Sequence, residues 1–323
     1  MIVEELWMHR ALQLAALGLG KVQPNPLVGA VIVHNERIIG EGYHQQYGAS
    51  HAEANAICTV ENQELLKEST LYVNLEPCSH LGKTPPCTSL IIEKKIPKVV
   101  IGMKDPNGKV NGEGIKILWD AGIEVIEDVL KDECLRLNKR FVTWHTEKRP
   151  YIFLKWAQTK NGFMDVLRNN NDNNYCKYWI TNEALRVWSH KLRNEEQAIL
   201  VGYNTLKNDN PQLTNRLFGT NQPKRFVLCD AHKSAEINTP FSTLIGDIKD
   251  VLNELHTLKI QSVIVEGGKT TLQKFLDARL WDEVFVLTGN VEWESGIEAP
   301  KMSYLFDNAM NVEDETIWHY IRK

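Results

Sequence analysis

Short apolar runs alternate with amphipathic stretches along most of the chain, and the alternation breaks once, at the polar residues 144–150. Strands separated by helices at this spacing cover both faces of a sheet, so the pattern restricts the fold to a layered α/β architecture. Before the break the pattern predicts a helix over 4–20 and a hairpin over 28–39. A helix from about His51, a strand over 70–75, a helix over 88–95 and a strand over 99–103 follow. A helix over 114–121, a short strand at 124–126 and one amphipathic helix over 129–141 complete this half. After the break the pattern predicts strands at 151–156, 198–201, 225–229, 262–265 and 283–287, with helices over 182–193, 247–258 and 270–280. The expected domains are 1–146 and 150–323, and 323 residues suit two domains of ordinary size.

Charge narrows the function. Acidic residues outnumber basic ones, 41 to 37, and the surplus is shared evenly by the two halves. Neither half carries the basic excess that a nucleic-acid backbone demands, so no nucleic-acid partner is expected. The apolar stretch at 11–20 is too short to span a bilayer, and Glu4 and Glu5 precede it where a signal peptide carries positive charge. Six cysteines (Cys58, Cys78, Cys87, Cys134, Cys176 and Cys229) make no disulfide framework. A cytoplasmic protein without membrane contact is expected, with room for a homo-oligomer.

The first half holds a metal-ligand constellation. His51-Ala52-Glu53 stands at a helix start, and Glu76-Pro77-Cys78 follows a strand, with Cys87 closing the next loop. One imidazole and two thiolates suit Zn²⁺, and three protein ligands leave a fourth position for water, whose pKa such a metal lowers to about 7. Glu53 is placed to move the water's proton without binding the metal. Zinc deaminases carry H-x-E followed by P-C-x-x-C, whereas here eight residues separate the cysteines. Two other readings stay open on these residues. One is a nucleoside or tRNA-base zinc deaminase with a non-reductase C-terminal domain. The other is a zinc-stabilised binding module, for which His80 is the convenient fourth ligand.

In the second half, residues 262–270 read as a strand, a Gly267-Gly268 turn and a helix start. Such a turn presents backbone N–H groups and a helix N-terminus to a phosphate. It is not a Walker A loop, because Val263 stands where the first glycine belongs, and no G-x-G-x-x-G string is present.

Several linked strings carry a resemblance. They are Pro24-Asn25-Pro26-Leu27-Val28-Gly29, Gly40-Glu41-Gly42-Tyr43-His44, His51-Ala52-Glu53-Ala54, the run from Glu76 to Cys87, Asp105-Pro106-Asn107 and Gly112-Glu113-Gly114. In these the sequence resembles the deaminase half of the bifunctional riboflavin-biosynthesis deaminase/reductase family, whose long loop between the cysteines it shares. Lys155-Trp156-Ala157, Trp179-Ile180-Thr181, Asp209-Asn210-Pro211-Gln212-Leu213 and Val265-Glu266-Gly267-Gly268 are similar to the reductase half. The resemblance implies a cytidine-deaminase-like three-layer αβα domain followed by a dihydrofolate-reductase-like α/β domain. It implies Zn²⁺ on His51, Cys78 and Cys87, with Glu53 as catalytic proton shuttle and Asn25, His44, His80 and Lys83 meeting the substrate.

For the second half it implies NADPH held by Ala157, Trp179, Thr205, Asp209, Gly267, Gly268, Lys269, Thr270 and Thr271. Substrate contacts would come from Lys177, Arg193, Leu213, Arg216 and Glu266. The implied substrate is a small phosphorylated pyrimidine, 2,5-diamino-6-ribosylamino-4(3H)-pyrimidinone 5′-phosphate. It would be deaminated hydrolytically and then reduced at the ribosyl group to ribityl. The chain departs from the family where Thr159-Lys160-Asn161-Gly162 replaces a Ser-Leu-Asp-Gly string, and where Lys177 replaces the common Ser.

Overall fold

The computed structural model describes residues 3–79, 85–108, 112–167, 179–237 and 240–322. The chain divides into two compact units, 1–148 and 149–323.

In the first unit the elements run α1 (Val3–Ala16), β1 (Gly29–His34), β2 (Arg37–Tyr43), α2 (Ala52–Cys58), β3 (Thr70–Val73), α3 (Cys87–Glu93), β4 (Lys98–Ile101), α4 (Glu113–Asp120), β5 (Glu124–Ile126), α5 (Lys131–Leu137) and α6 (Lys139–Thr146). The sheet order is β2-β1-β3-β4-β5. β1 is antiparallel to β2 and β3, and β3, β4 and β5 are parallel. Side-chain alternation along β1 explains the layering. Ala30 and Ile32 point into a core with Ala52, Ala56, Ile91 and Leu118, whereas Val31 and Val33 pack with Met8, Ala11 and Leu14. Helices therefore cover both faces, as a three-layer αβα domain requires. Gly42 lets α2 close on the sheet, since a Cβ there would sit 2.3 Å from the Ala56 nitrogen.

The single helix expected over 129–141 is two helices. Asn138 separates α5 from α6, and its buried side chain accepts from the Leu27 N–H at 2.8 Å and donates to the Leu27 carbonyl at 2.9 Å. A side-chain amide bridging to distant backbone competes with the helical ladder. Helical structure also continues to Thr146, into the stretch the polar composition marked as a break.

The second unit runs β6 (Tyr151–Gln158), β7 (Phe163–Asp165), α7 (Glu183–Glu195), β8 (Ala198–Gly202), α8 (Tyr203–Asp209), β9 (Lys224–Cys229), β10 (Ser242–Ile245), α9 (Ile248–Thr257), β11 (Ser262–Val265), α10 (Lys269–Asp277), β12 (Glu283–Thr288), β13 (Ile297–Glu298), β14 (Asn308–Val312) and β15 (Glu315–Ile321). Its main sheet has the order β10-β9-β8-β11-β6-β12-β15-β14. The strands from β10 to β12 are parallel, and β15 and β14 add an antiparallel edge. The central strands are buried on both faces and so read as nearly continuous apolar runs. Ile152, Leu154 and Trp156 of β6 face one core, whereas Tyr151 and Phe153 face the other. Arg149 donates to both carboxylate oxygens of Asp282 at 2.6 and 2.7 Å, a buried pair at the base of the sheet. Among the described residues, no helix is long and apolar enough to cross a membrane.

Candidate active sites in the two units

In the first unit, β3 delivers the chain to Cys78, α3 opens on Cys87, and His51 is the residue that caps α2. His51 Nδ1 lies 3.4 Å from Cys78 Sγ and 3.3 Å from Cys87 Sγ, and the three ligand atoms all fall within 4.8 Å of one another. Tetrahedral zinc with bond lengths of about 2.05 and 2.3 Å sets nitrogen and sulfur about 3.6 Å apart, so the donors and their spacing fit that ion. The Cys87 N–H also donates to Cys78 Sγ at 3.3 Å. Hydrogen bonds from the Cys87 thiol and then from His51, outweighing burial, draw the Cys78 thiol down to about 4. The same sulfur contact, reinforced by burial, pushes Cys87 up.

Glu53 occupies the first turn of α2, is almost fully buried, and stands outside the three-atom cluster. Burial, and then the charge of Cys78, raises its pKa.

Asn25 and His44 are brought to this cluster. His44 Nδ1 is 3.0 Å from the Ser50 carbonyl, which can only accept, so this nitrogen carries the proton. His44 Nε2 is then the acceptor for the Asn25 side-chain amide at 3.0 Å. Burial lowers the His44 pKa and keeps the ring neutral in this tautomer. Its ring meets His51 edge-on, with centroids 5.7 Å apart. His80 and Lys83 lie outside the described residues.

The Glu76 carboxylate organises the neighbouring loop. It is buried and accepts N–H groups from Asp105 at 3.1 Å, Gly112 at 3.0 Å and Gly114 at 2.9 Å. A carboxylate two residues before Cys78 thereby fastens the loop ahead of α4 to the ligand-bearing segment.

In the second unit a cavity of about 1240 Å³ runs along the carboxyl ends of the parallel strands, the place where open α/β sheets bind ligands. Ala157, Thr205, Asp209, Gly268, Lys269, Thr270 and Thr271 line it, together with Glu266. Gly267 stands behind the turn: a Cβ on it would lie 2.4 Å from the Gly202 nitrogen. The Gly268 N–H is already taken by Thr205 Oγ1 at 2.9 Å. The hydroxyl therefore shapes the turn, and α10 is left to aim its N-terminus at the cavity.

At the β6–β11 end the cavity meets a charged triad. Arg193 donates to Glu266 at 3.3 and 2.6 Å, and Lys155 Nζ sits 3.5 Å from the same carboxylate. Burial would raise the Glu266 pKa, but Arg193 and then Lys155 outweigh it and hold it down to about 2. Burial lowers Lys155. The sequence reading missed Lys155 as a site residue. Its signal was the one charged side chain of β6.

Arg193, Leu213 and Arg216 are not among the cavity-lining residues. Arg193 also donates to the Thr214 carbonyl at 3.2 Å, and the Arg216 guanidinium to Thr214 Oγ1 at 2.7 Å and Gln212 Oε1 at 2.9 Å, so the two arginines flank one loop. Leu213 is buried in the core beneath. Trp179 is exposed and away from the cavity, with the Arg186 guanidinium 4.7 Å above its ring. Lys177 lies outside the described residues.

Comparison with known proteins matches this arrangement half by half. Residues 1–103 match the model of the cytidine and deoxycytidylate deaminase zinc-binding region, and residues 150–290 match that of the RibD C-terminal domain. The chain is 38% identical over 314 residues to the riboflavin biosynthesis protein RibD of Aquifex aeolicus (strain VF5), covering 88% of this chain and 86% of that protein. The chain belongs to the RibD family of riboflavin biosynthesis proteins. The Escherichia coli (strain K12) RibD is 40% identical over 325 residues, covering 88% of this chain and 86% of its own length. Among solved RibD-like structures, the diaminohydroxyphosphoribosylaminopyrimidine deaminase/5-amino-6-(5-phosphoribosylamino)uracil reductase of Thermotoga maritima superposes with a TM-score of 0.87 at 37% identity, over 98% of each chain. An Acinetobacter baumannii RibD superposes with a TM-score of 0.86 at 28% identity, over 99% of this chain and 98% of that one.

Proposed function

We propose that this chain catalyses two consecutive steps of riboflavin biosynthesis. The first is hydrolytic deamination of 2,5-diamino-6-ribosylamino-4(3H)-pyrimidinone 5′-phosphate, and the second is NADPH-dependent reduction of its ribosyl group to ribityl. The observation that carries this reading is the cluster of His51, Cys78 and Cys87 with Glu53 beside it, in a chain whose other unit holds a dinucleotide-sized cavity.

His51, Cys78 and Cys87 are the residues to hold zinc, which supplies Lewis acidity and activates water at neutral pH. Glu53 accepts the water's proton and returns it to the departing amine, and its burial suits a carboxyl group that must be protonated halfway through the cycle. The Asn25–His44 pair fixes donors and acceptors at the edge of the ring-binding space. His80 and Lys83 complete the substrate contacts, Lys83 as a point charge for phosphate.

In the second unit Ala157, Thr205, Asp209 and the turn from Gly267 to Thr271 are the residues to hold NADPH, and Lys177 is a proposed substrate contact. NADPH supplies the hydride. Arg216 meets the substrate phosphate, and Leu213 backs the loop that carries it. The Lys155–Glu266–Arg193 triad orients the ribosyl chain at the inner end of the cavity. The five free cysteines among the described residues suit a reducing cytoplasm. The acidic balance argues against nucleic acid as a partner, and the assembly is proposed to be homo-oligomeric.

The test is Glu53→Gln, with zinc content and ammonia release measured separately. Retained zinc with lost deamination supports the reading, and unchanged ammonia release overturns it. NADPH oxidation on the deaminated substrate tests the second unit, and absence of oxidation removes the reductase assignment.

A further inference from the structure

Residues 210–216, which follow α8, form neither helix nor strand, so their backbone groups must find partners elsewhere. Three consecutive residues find them in side chains. The Thr214 carbonyl accepts from Arg193 at 3.2 Å. Gln222 takes both backbone groups of Asn215, accepting its N–H at 2.8 Å and donating to its carbonyl at 2.7 Å. The Arg216 N–H donates to His190 Nδ1 at 2.9 Å. His190 and Arg193 stand three residues apart on α7 and so share a face. One helix thus supplies an acceptor and a donor to the same stretch of loop.

What this arrangement fixes is an uncommitted cation. Arg193 is paired with Glu266 at 2.6 Å. Arg216 is exposed, its guanidinium donates to the neutral oxygens of Thr214 and Gln212, and among the described residues it forms no ion pair. A guanidinium anchored by neutral acceptors keeps its charge for an incoming anion. His190 is suited to hold it in place. The ring is buried, and since a backbone N–H can only donate, Nδ1 is the acceptor and the proton of the neutral ring sits on Nε2. Burial, and then the charges of Arg193 and Arg216, lower the His190 pKa against weaker opposing pulls from Asn215 and Glu266. The ring therefore keeps its Nδ1 lone pair at neutral pH.

We propose that His190 is a positioning residue of the reductase step, whose Nδ1 fixes the backbone at Arg216 and with it the guanidinium that takes the substrate phosphate. This rests on the reductase reading of the second unit and deepens it. His190 does not line the cavity and acts through Arg216.

The experiment follows NADPH oxidation by the full chain on the deaminated substrate and on the same compound without its phosphate. The parent is compared with His190→Ala, His190→Asn, His190→Gln, Arg216→Ala and the double alanine variant. His190→Ala should raise KM for the phosphorylated substrate about tenfold, the scale of one hydrogen bond, with kcat and the KM for NADPH within about twofold. On the compound without phosphate, kcat/KM should match that of the parent. Asn places an acceptor where Nδ1 stands and should restore KM, whereas the longer Gln should not. Adding His190→Ala to Arg216→Ala should change nothing further. An unchanged KM in His190→Ala, an equal loss on both compounds, or effects that multiply in the double variant overturns the proposal and leaves the reductase reading intact. If the alanine variant melts early, the Asn and Gln variants decide, and equal KM values in the two overturn it. A parent that oxidises no NADPH on either compound removes the reductase reading, and the proposal with it.

Discussion

The two sites are assembled in opposite ways. In the first unit the chemistry is concentrated in two short strings, His51-Ala52-Glu53 and the segment from Glu76 to Cys87, and three atoms from them converge within 4.8 Å. In the second, the cavity is lined from the ends of five parallel strands and the helices that follow, and no single string contains it. A metal demands short fixed distances from a few strong donors. A long flexible cofactor accepts many weak contacts spread along its length. Point substitutions should therefore abolish the first site outright and erode the second by degrees.

Metal removal is the largest break expected. Chelation, or His51→Ala, should reduce ammonia release to background while NADPH oxidation on pre-deaminated substrate continues. Parallel loss of both would show that the two sites are coupled.

Next in size is Glu266→Gln, which strands Lys155 and Arg193 with uncompensated buried charge. It should destabilise the second unit by about 3–5 kcal/mol, seen in thermal unfolding, and leave zinc content unchanged. The same carboxylate predicts an acid limb. Its folded pKa of about 2 lies below its ordinary 4.5, so its contribution is fully present above about pH 4.5 and is lost as pH falls toward 2. The Gln variant should flatten that part of the unfolding curve, and an unaltered limb would assign acid sensitivity elsewhere.

The smallest effect tests how the first site is supported. Asn138→Ala removes the side chain that pairs with both backbone groups of Leu27, two residues after Asn25. A cost of about 1–3 kcal/mol is expected, with a raised KM for deamination and zinc unaffected. A change in zinc content instead would mean that Asn138 supports the ligands directly.

The same contrast decides what could be read from the sequence. His51, Glu53, Cys78 and Cys87 were legible because ligand chemistry and spacing are written locally. The αβα layering was legible because the period of the apolar residues encodes it. The division between α5 and α6 was not, since it depends on Asn138 reaching a residue more than a hundred positions away. Lys155 was passed over because a lone lysine in a strand acquires meaning only when β11 places Glu266 beside it. The β14–β15 hairpin was also missed, although the run Thr316-Ile317-Trp318-His319-Tyr320-Ile321 is rich in strand formers. The outer end of the cavity was hidden for a different reason: β9 and β10 become its wall only through the order of strands in the sheet.

The turn after β11 carries a constraint of another kind. A methyl group on Gly267 would strike the backbone of β8 at Gly202, and one on Gly202 would reach Thr271 Oγ1 at 2.5 Å. The first collision is with main chain, so no compensating side-chain change elsewhere can relieve it. Position 267 is thus closed to stepwise drift, and any lineage that altered it would have to shift two strands at once. Directed evolution of the cofactor pocket should accordingly find its solutions elsewhere than at Gly267.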